Sequence, residues 1–121
     1  MTHPMNDLEA MSLPLPMTQA AQAIAQQFAS QQPPQIADRV RRNTLAVCIV
    51  KDYFDLMGIE TNVTAGDSWH PAVRLCADVA DLVIPHVGSV ECRPISSTAT
   101  ACDLPAETWC DRIGYAVVQI Y

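Results

Sequence analysis

The sequence is short of the features that usually accompany nucleic-acid binding or membrane insertion. Among its 121 residues there are seven Lys or Arg against thirteen Asp or Glu, and the formal net charge is −6. An acidic chain gains no counterion-release energy from a phosphate backbone, which argues against general nucleic-acid binding. No apolar run approaches the ~18 residues that a membrane span needs. We therefore expect neither nucleic acid nor membrane among its partners.

Motifs of established chemistry are also missing. Only four glycines occur, and the chain has no phosphate-binding glycine loop, nucleophile elbow or HExxH motif. The five cysteines are irregularly spaced without a CxxC pair, so zinc ribbons and thioredoxin-type redox sites have no support. The first residues lack the basic region and apolar stretch of a secretory signal. We expect reduced thiols, no cofactor and a cytoplasmic location.

The composition that remains is typical of a folded domain. Hydrophobic residues make up 50% of the chain and charged residues 17%, and the length fits one hydrophobic core. Residues 1–16 carry three prolines and predict a flexible N-terminal arm, followed by a single α+β domain over 17–121. We expect two N-terminal helices packed on a small antiparallel sheet, with a hairpin near 79–95 and a terminal strand near 113–120.

Helical signals occupy the first half of this domain. An Ala/Gln-rich run over 19–31 predicts a helix with Thr18 as its N-cap, ended by the Pro-Pro pair that follows. A second helix is predicted over 35–57, with Gly58 as its stop and Asn43 as a candidate break. Its centre is apolar nearly all round, which predicts a helix buried on more than one side. The basic residues near its start, Arg39, Arg41 and Arg42, predict a solvated face.

The segment "DLVIPHVGSVECR" predicts a β-hairpin. Closing it with the loop His86-Val87-Gly88 puts Gly at the position that needs a left-handed conformation. In that register Asp81 faces Arg93 across the strands. The alternation places four apolar side chains on one face, namely Leu82, Ile84, Val90 and Cys92.

The final strand, near 113–120, is apolar on both faces. A strand of this kind is normally central in a sheet or covered on both sides. It therefore either inserts beside the hairpin or belongs to a larger sheet. We expect the chain to be the N-terminal part of a longer protein, continuing beyond Tyr121.

The stretch "GDSWHPAVRLC" resembles a catalytic cluster, but its spacing fits a capped turn. Asp67 and Ser68 follow Gly66 and are placed to accept hydrogen bonds from nearby backbone N–H groups. Pro71 suits the first turn of a short helix, which makes His70 the N-cap by position. Trp69 is the expected apolar anchor of the turn. Arg74 is expected to meet Asp67 or Asp78.

Three functions are compatible with these residues. The favoured one is a non-enzymatic interaction or regulatory module, whose partner is another protein or the remainder of a longer chain. An alternative is a small thiol- or His-dependent hydrolase built on Asp67 and His70, with Cys76 or Cys92 as nucleophile. Another is a subunit that completes its sheet with a partner's strand. We expect no catalytic or metal site. The candidate structural or binding surface comprises Asp67, Trp69, His70, Arg74, Asp78, Asp81 and Arg93.

Several blocks of the sequence resemble one family. They are "RRNTLAVCIVKDYFDLMGIETNVTAGDSWHP", "RLCADVADL", "ECRP" and "WCDRIGYAVVQ", in this order. Together they are similar to an uncharacterised, mainly cyanobacterial family, the domain of unknown function numbered eighteen-twenty-two. The resemblance implies an Asn where this chain has His70, and family members longer than this chain. It implies no activity, substrate or cofactor.

Overall fold

The computed structural model describes residues 2–4, 13–99, 101–105 and 111–120. Its three helices precede the strands of the main sheet, which confirms the predicted α+β class. The helices are α1 (Gln19–Ser30), α2 (Pro34–Leu56) and α3 (Pro71–Cys76). The strands are β1 (Thr2–Pro4), β2 (Asp81–Ile84), β3 (Gly88–Ser96), β4 (Ala101–Asp103) and β5 (Arg112–Ile120).

The main sheet has the strand order β2-β3-β5 and is mixed rather than antiparallel. β2 and β3 form the antiparallel hairpin, whereas β5 runs parallel to β3, with Cys92 opposite Ala116. A parallel neighbour needs a long connection, and the chain between β3 and β5 supplies it. The expectation of a wholly antiparallel sheet is therefore corrected. β5 lies beside the hairpin, and β1 pairs with β4 in a separate two-stranded sheet.

The hairpin forms where it was predicted, but its register differs by two residues. Ile84 pairs with Gly88 and Asp81 with Glu91, so the predicted Asp81–Arg93 pair is wrong. His86 adopts the left-handed conformation, with φ 65°, and the loop therefore closes before Gly88. A two-residue shift keeps each side chain on its predicted face, because side chains alternate with a period of two.

The ends of the two long helices follow the sequence signals closely. Oγ1 of Thr18 accepts a hydrogen bond from the Ala21 N–H at 3.1 Å, which confirms the predicted cap. α2 begins at Pro34, since proline is favoured in the first helical turn, and Gly58 lies just beyond its end with φ 74°. No break occurs at Asn43, because its side chain turns toward the loop before β2 instead of capping a helix.

α2 is the central helix, as predicted. One side packs against the sheet in a core formed by Ala46, Val47, Val50, Ala80, Leu82, Val90 and Cys92. Its Leu45 packs against Ala21 and Ala25 of α1. A smaller apolar cluster joins Ile95 to Cys102 and Leu104 after the end of β3. No helix among the described residues is long and apolar enough to cross a membrane.

Candidate functional site

The turn before α3 is fastened to β2 by one carboxylate. Asp81 accepts hydrogen bonds from the backbone N–H groups of Asp67, at 2.9 Å, and Ser68, at 2.8 Å. The Ser68 hydroxyl donates to the Asp81 carbonyl at 2.9 Å. Gly66 permits this approach, since a Cβ there would lie 2.8 Å from the same carbonyl oxygen. Asp81 is thus the acceptor in this turn, the role that the sequence suggested for Asp67 and Ser68.

Trp69 and Arg74 join this turn to α1 through Phe28. The Trp69 and Phe28 rings meet edge to face, with centroids 5.1 Å apart. The Arg74 guanidinium carbon lies 3.8 Å from the Phe28 centroid, within cation–π range. Arg74 donates to the Ser68 carbonyl and to Oε1 of Gln31, and burial lowers its pKa. The predicted ion pair with Asp67 or Asp78 is wrong, because α3 directs Arg74 toward α1.

His70 and Asp67, the pair at the centre of the hydrolase alternative, are both exposed. His70 occupies the N-cap position of α3, as predicted, but its side chain makes no capping hydrogen bond. His70 and Asp67 are linked through their backbones, because the His70 N–H donates to the Asp67 carbonyl at 3.0 Å. No hydrogen bond between these two side chains is present in the described structure.

Glu91 is the centre of a buried ionic cluster on β3. Its side chain is 0% exposed and accepts from Arg93, at 3.0 Å, and from Arg112, at 2.9 Å. The Ala80 N–H donates to it at 2.8 Å. Buried charges persist in proteins when they are paired and hydrogen-bonded, and Glu91 meets both conditions. The cluster therefore joins β3 to β5 and to the chain just before β2.

Arg93 extends this cluster toward α2. Its Nη2 donates to Oδ1 of Asp78 at 2.9 Å, and the Asn43 amide donates to the same oxygen at 2.8 Å. Burial lowers the pKa of Arg93, but the Asp78 and Glu91 carboxylates outweigh it, and the net direction is upward. Arg93 thus stays protonated, and it is 94% buried, with a residue exposure of 6%.

Of this cluster, the sequence identified Asp78 and Arg93 as surface candidates but missed three of their partners. Glu91 carries a usable signal, because it alternates with Arg93 on one face of β3 and both are charged among apolar neighbours. Arg112 and Asn43 carry none, since each meets its partner across a long stretch of chain.

An open groove of about 430 Å³ lies beside the cluster, and we call it the β3 groove. It is lined by Arg42, Asp78, β3 residues 93–96, Cys102, Leu104 and Pro105. Arg42 is half-buried and has no hydrogen-bond or ion-pair partner among the described residues. Nε of Arg93 is buried and also lacks an acceptor there. The groove therefore presents the guanidinium of Arg42 beside apolar side chains that are themselves largely buried, such as Ile95 and Leu104.

The other two arginines of α2's basic stretch are engaged. Arg41 pairs with Asp38 at 2.8 Å on the exposed side of the helix, as a solvated face requires. Arg39 is half-buried and donates to the carbonyls of Arg74 and Ala77 at the end of α3, which its charge stabilises. The prediction of a uniformly solvated face is thus wrong for Arg39.

Comparison with known proteins identifies the family. The sequence model described as "Protein of unknown function (DUF1822)" matches residues 15–121. The chain belongs to the DUF1822 family. No curated protein and no solved structure matches the chain.

Burial raises the pKa values of two of the described thiols of this DUF1822 domain. Cys92 is 0% exposed, and burial in the core raises its pKa well above the ordinary value. Burial also raises the pKa of Cys48 to about 11. Cys76 is exposed, at the end of α3. Among the described residues, no three His, Cys, Asp or Glu side chains are grouped to hold a metal ion.

Proposed function

We propose that this DUF1822 domain is a non-enzymatic interaction or regulatory module, and that it binds a protein partner at the β3 groove. The observation that carries the proposal is the position of the Arg42 guanidinium at this groove, beside the end of β3 that β2 does not pair with. Arg42 has no hydrogen-bond or ion-pair partner in the described part of the chain, and extended partners commonly bind along open strand edges.

The groove is built on a rigid support. Arg93 is held by Glu91 and Asp78, and Asp78 by Asn43 of α2, so the polar wall is fixed from three elements. Beneath the groove, Ile95 of β3 packs with Cys102 and Leu104 in a small apolar cluster. A site whose groups are already in place loses little conformational entropy on binding.

Only part of the binding surface predicted from the sequence is available to a partner. Asp81, Trp69 and Arg74 make internal contacts in the turn before α3. Asp78 and Arg93 line the groove. The binding surface we propose is thus centred on Asp78 and Arg93, with Arg42 added from α2.

The hydrolase alternative has less support. A thiol nucleophile needs a lowered pKa and access, whereas burial raises the pKa of Cys92. The exposed thiol, Cys76, lies at the end of α3, and no described side chain forms a hydrogen bond with it that could activate it as a nucleophile. The free thiols of the described cysteines also favour the cytoplasmic location that we propose.

The test is site-specific photo-crosslinking in the native host. A p-benzoylphenylalanine is introduced in place of Ser96, which is exposed in the groove, or in place of Leu56, which is 78% exposed outside it. We expect a defined crosslinked protein from position 96 that is absent from position 56. Arg42→Glu should abolish it, and Arg41→Glu should leave it unchanged. Equal crosslinking at both positions, or insensitivity to Arg42→Glu, would contradict the proposal.

A further inference from the structure

The charge and shape of the β3 groove indicate which kind of protein segment it binds. Resting on the function proposed above, we propose that the groove binds an extended acidic segment of the partner. One Asp or Glu carboxylate of that segment pairs with Arg42, while the segment lies along β3 residues 94–96.

The charge balance of the groove favours a single carboxylate. Arg42 brings a positive charge without a partner among the residues described, whereas Arg93 and Asp78 already neutralise each other at 2.9 Å. A guanidinium presents its donors in a planar fork that matches a carboxylate. The fixed position of Asp78 opposes a ligand of higher negative charge, such as a phosphate.

The shape of the groove favours an extended segment over a compact ligand. Along β3, pairing with β2 ends at Glu91. The next backbone hydrogen bond at that edge, from the Cys92 N–H to the Ala80 carbonyl, is the last one before Pro94. No described strand pairs with β3 residues 94–96 on that side. Extended peptides commonly bind along such open edges. Pro94 lacks an N–H donor and limits full strand addition, so side chains must supply most of the specificity.

Peptide titration of the full chain tests the proposal. The ¹⁵N-labelled protein is titrated with acetyl-Ser-Leu-Glu-Leu-Ser-amide and with the same peptide carrying Gln in place of Glu, and binding is followed by NMR. We expect chemical-shift changes at residues 93–96 and 102–105, and affinity about 10-fold higher for the Glu peptide, as one charge-assisted contact allows. Arg42→Gln should remove this preference. Arg41→Gln, the matched control, should keep it.

Two results would overturn the inference. One is equal affinity for the Glu and Gln peptides, or shift changes confined to other surfaces. The other is binding of succinate or inorganic phosphate at the groove with the affinity of the Glu peptide, which would indicate a small-anion site. If Arg42→Glu removes the crosslink from position 96 but the Glu and Gln peptides bind equally well, the acidic segment is refuted and the interaction function stands. If Arg42→Glu leaves the crosslink intact and the two peptides bind equally well, both proposals are refuted.

Discussion

Glu91 and Arg93 are two residues apart on β3 and form an ion pair of 3.0 Å on one face of the sheet. The pair is nearly closed to solvent, with side-chain exposures of 0% and 7%. Alternate residues of a strand share a face, so β3 brings this pair together locally. Arg112 and Asp78 then complete it from β5 and from the loop before β2.

We predict that Glu91→Ala lowers the free energy of unfolding by about 3–5 kcal/mol, because it leaves the two buried guanidinium groups of Arg93 and Arg112 without their shared carboxylate. Urea unfolding followed by circular dichroism measures the loss. Glu60→Ala, at an exposed position, is the control and should change stability by less than about 0.5 kcal/mol. Equal effects for the two variants would show that the cluster contributes nothing specific.

A second prediction separates the two aspartates at the turn before α3. Asp81→Asn weakens two charge-assisted hydrogen bonds from backbone N–H groups and should cost about 1.5–3 kcal/mol. Asp67→Asn should stay within about 0.5 kcal/mol, because that side chain is exposed and the turn uses only its backbone. Thermal unfolding of both variants gives the comparison. A larger loss for Asp67→Asn would reverse the assigned roles.

The glycines of the sheet give a matched pair of substitutions. Gly88 has φ 147°, and a Cβ there would lie 2.6 Å from Cγ2 of Ile113, so Gly88→Ala should cost about 1–3 kcal/mol. Gly114 has open space at the corresponding position, and Gly114→Ala should be neutral or stabilise by up to about 1 kcal/mol. Denaturant midpoints measure both. Ile113→Ala should recover part of the loss in the Gly88 variant, and a failure to do so would exclude the steric cause.

Alkaline destabilisation is expected to depend on Cys48. Burial raises its pKa from 9.0 to about 11, so the folded state keeps the thiol protonated while the unfolded state ionises. The stability due to this difference is present below pH 9.0 and is lost as the pH rises toward 11, with a slope of at most about 1.4 kcal/mol per pH unit. Cys48→Ala should reduce the slope of this fall, and Cys92, whose pKa burial also raises, supplies a further part of it. Ser97→Ala, at an exposed side chain that does not ionise, is the control and should leave the profile unchanged.

The features that the sequence predicted well depend on neighbouring residues. The Thr18 cap, the Gly58 stop and the shared face of Leu82 and Val90 each follow from a local preference or from strand alternation. The hairpin register was wrong because His86 took a left-handed conformation that usually favours Gly or Asn. The preference of Gly for a left-handed conformation located the turn correctly but placed the loop at residues 86–88, one residue beyond its observed position before Gly88.

The features that the sequence missed depend on distant contacts. Nothing near Arg112 shows that its partner is Glu91, twenty-one residues away. Arg74 had acidic residues close in sequence, yet it stacks on Phe28 of α1, because the orientation of α3 decides what it meets. The β3 groove likewise joins parts of α2, β3 and the chain after β4, and it becomes visible only in three dimensions.

The parallel placement of β5 also bears on the order of folding. The β2–β3 hairpin needs only a three-residue loop, whereas β5 must return past the whole length of β3 before its first contact forms. The entropy of closing that longer loop is lost before any pairing energy is gained. Pulse-labelling hydrogen exchange should therefore show amides at the β2–β3 interface protected before those of β5. The Arg112–Glu91 ion pair then forms late in folding. Because contacts that form after the transition state act mainly on the unfolding rate, this ion pair slows unfolding more than it speeds folding.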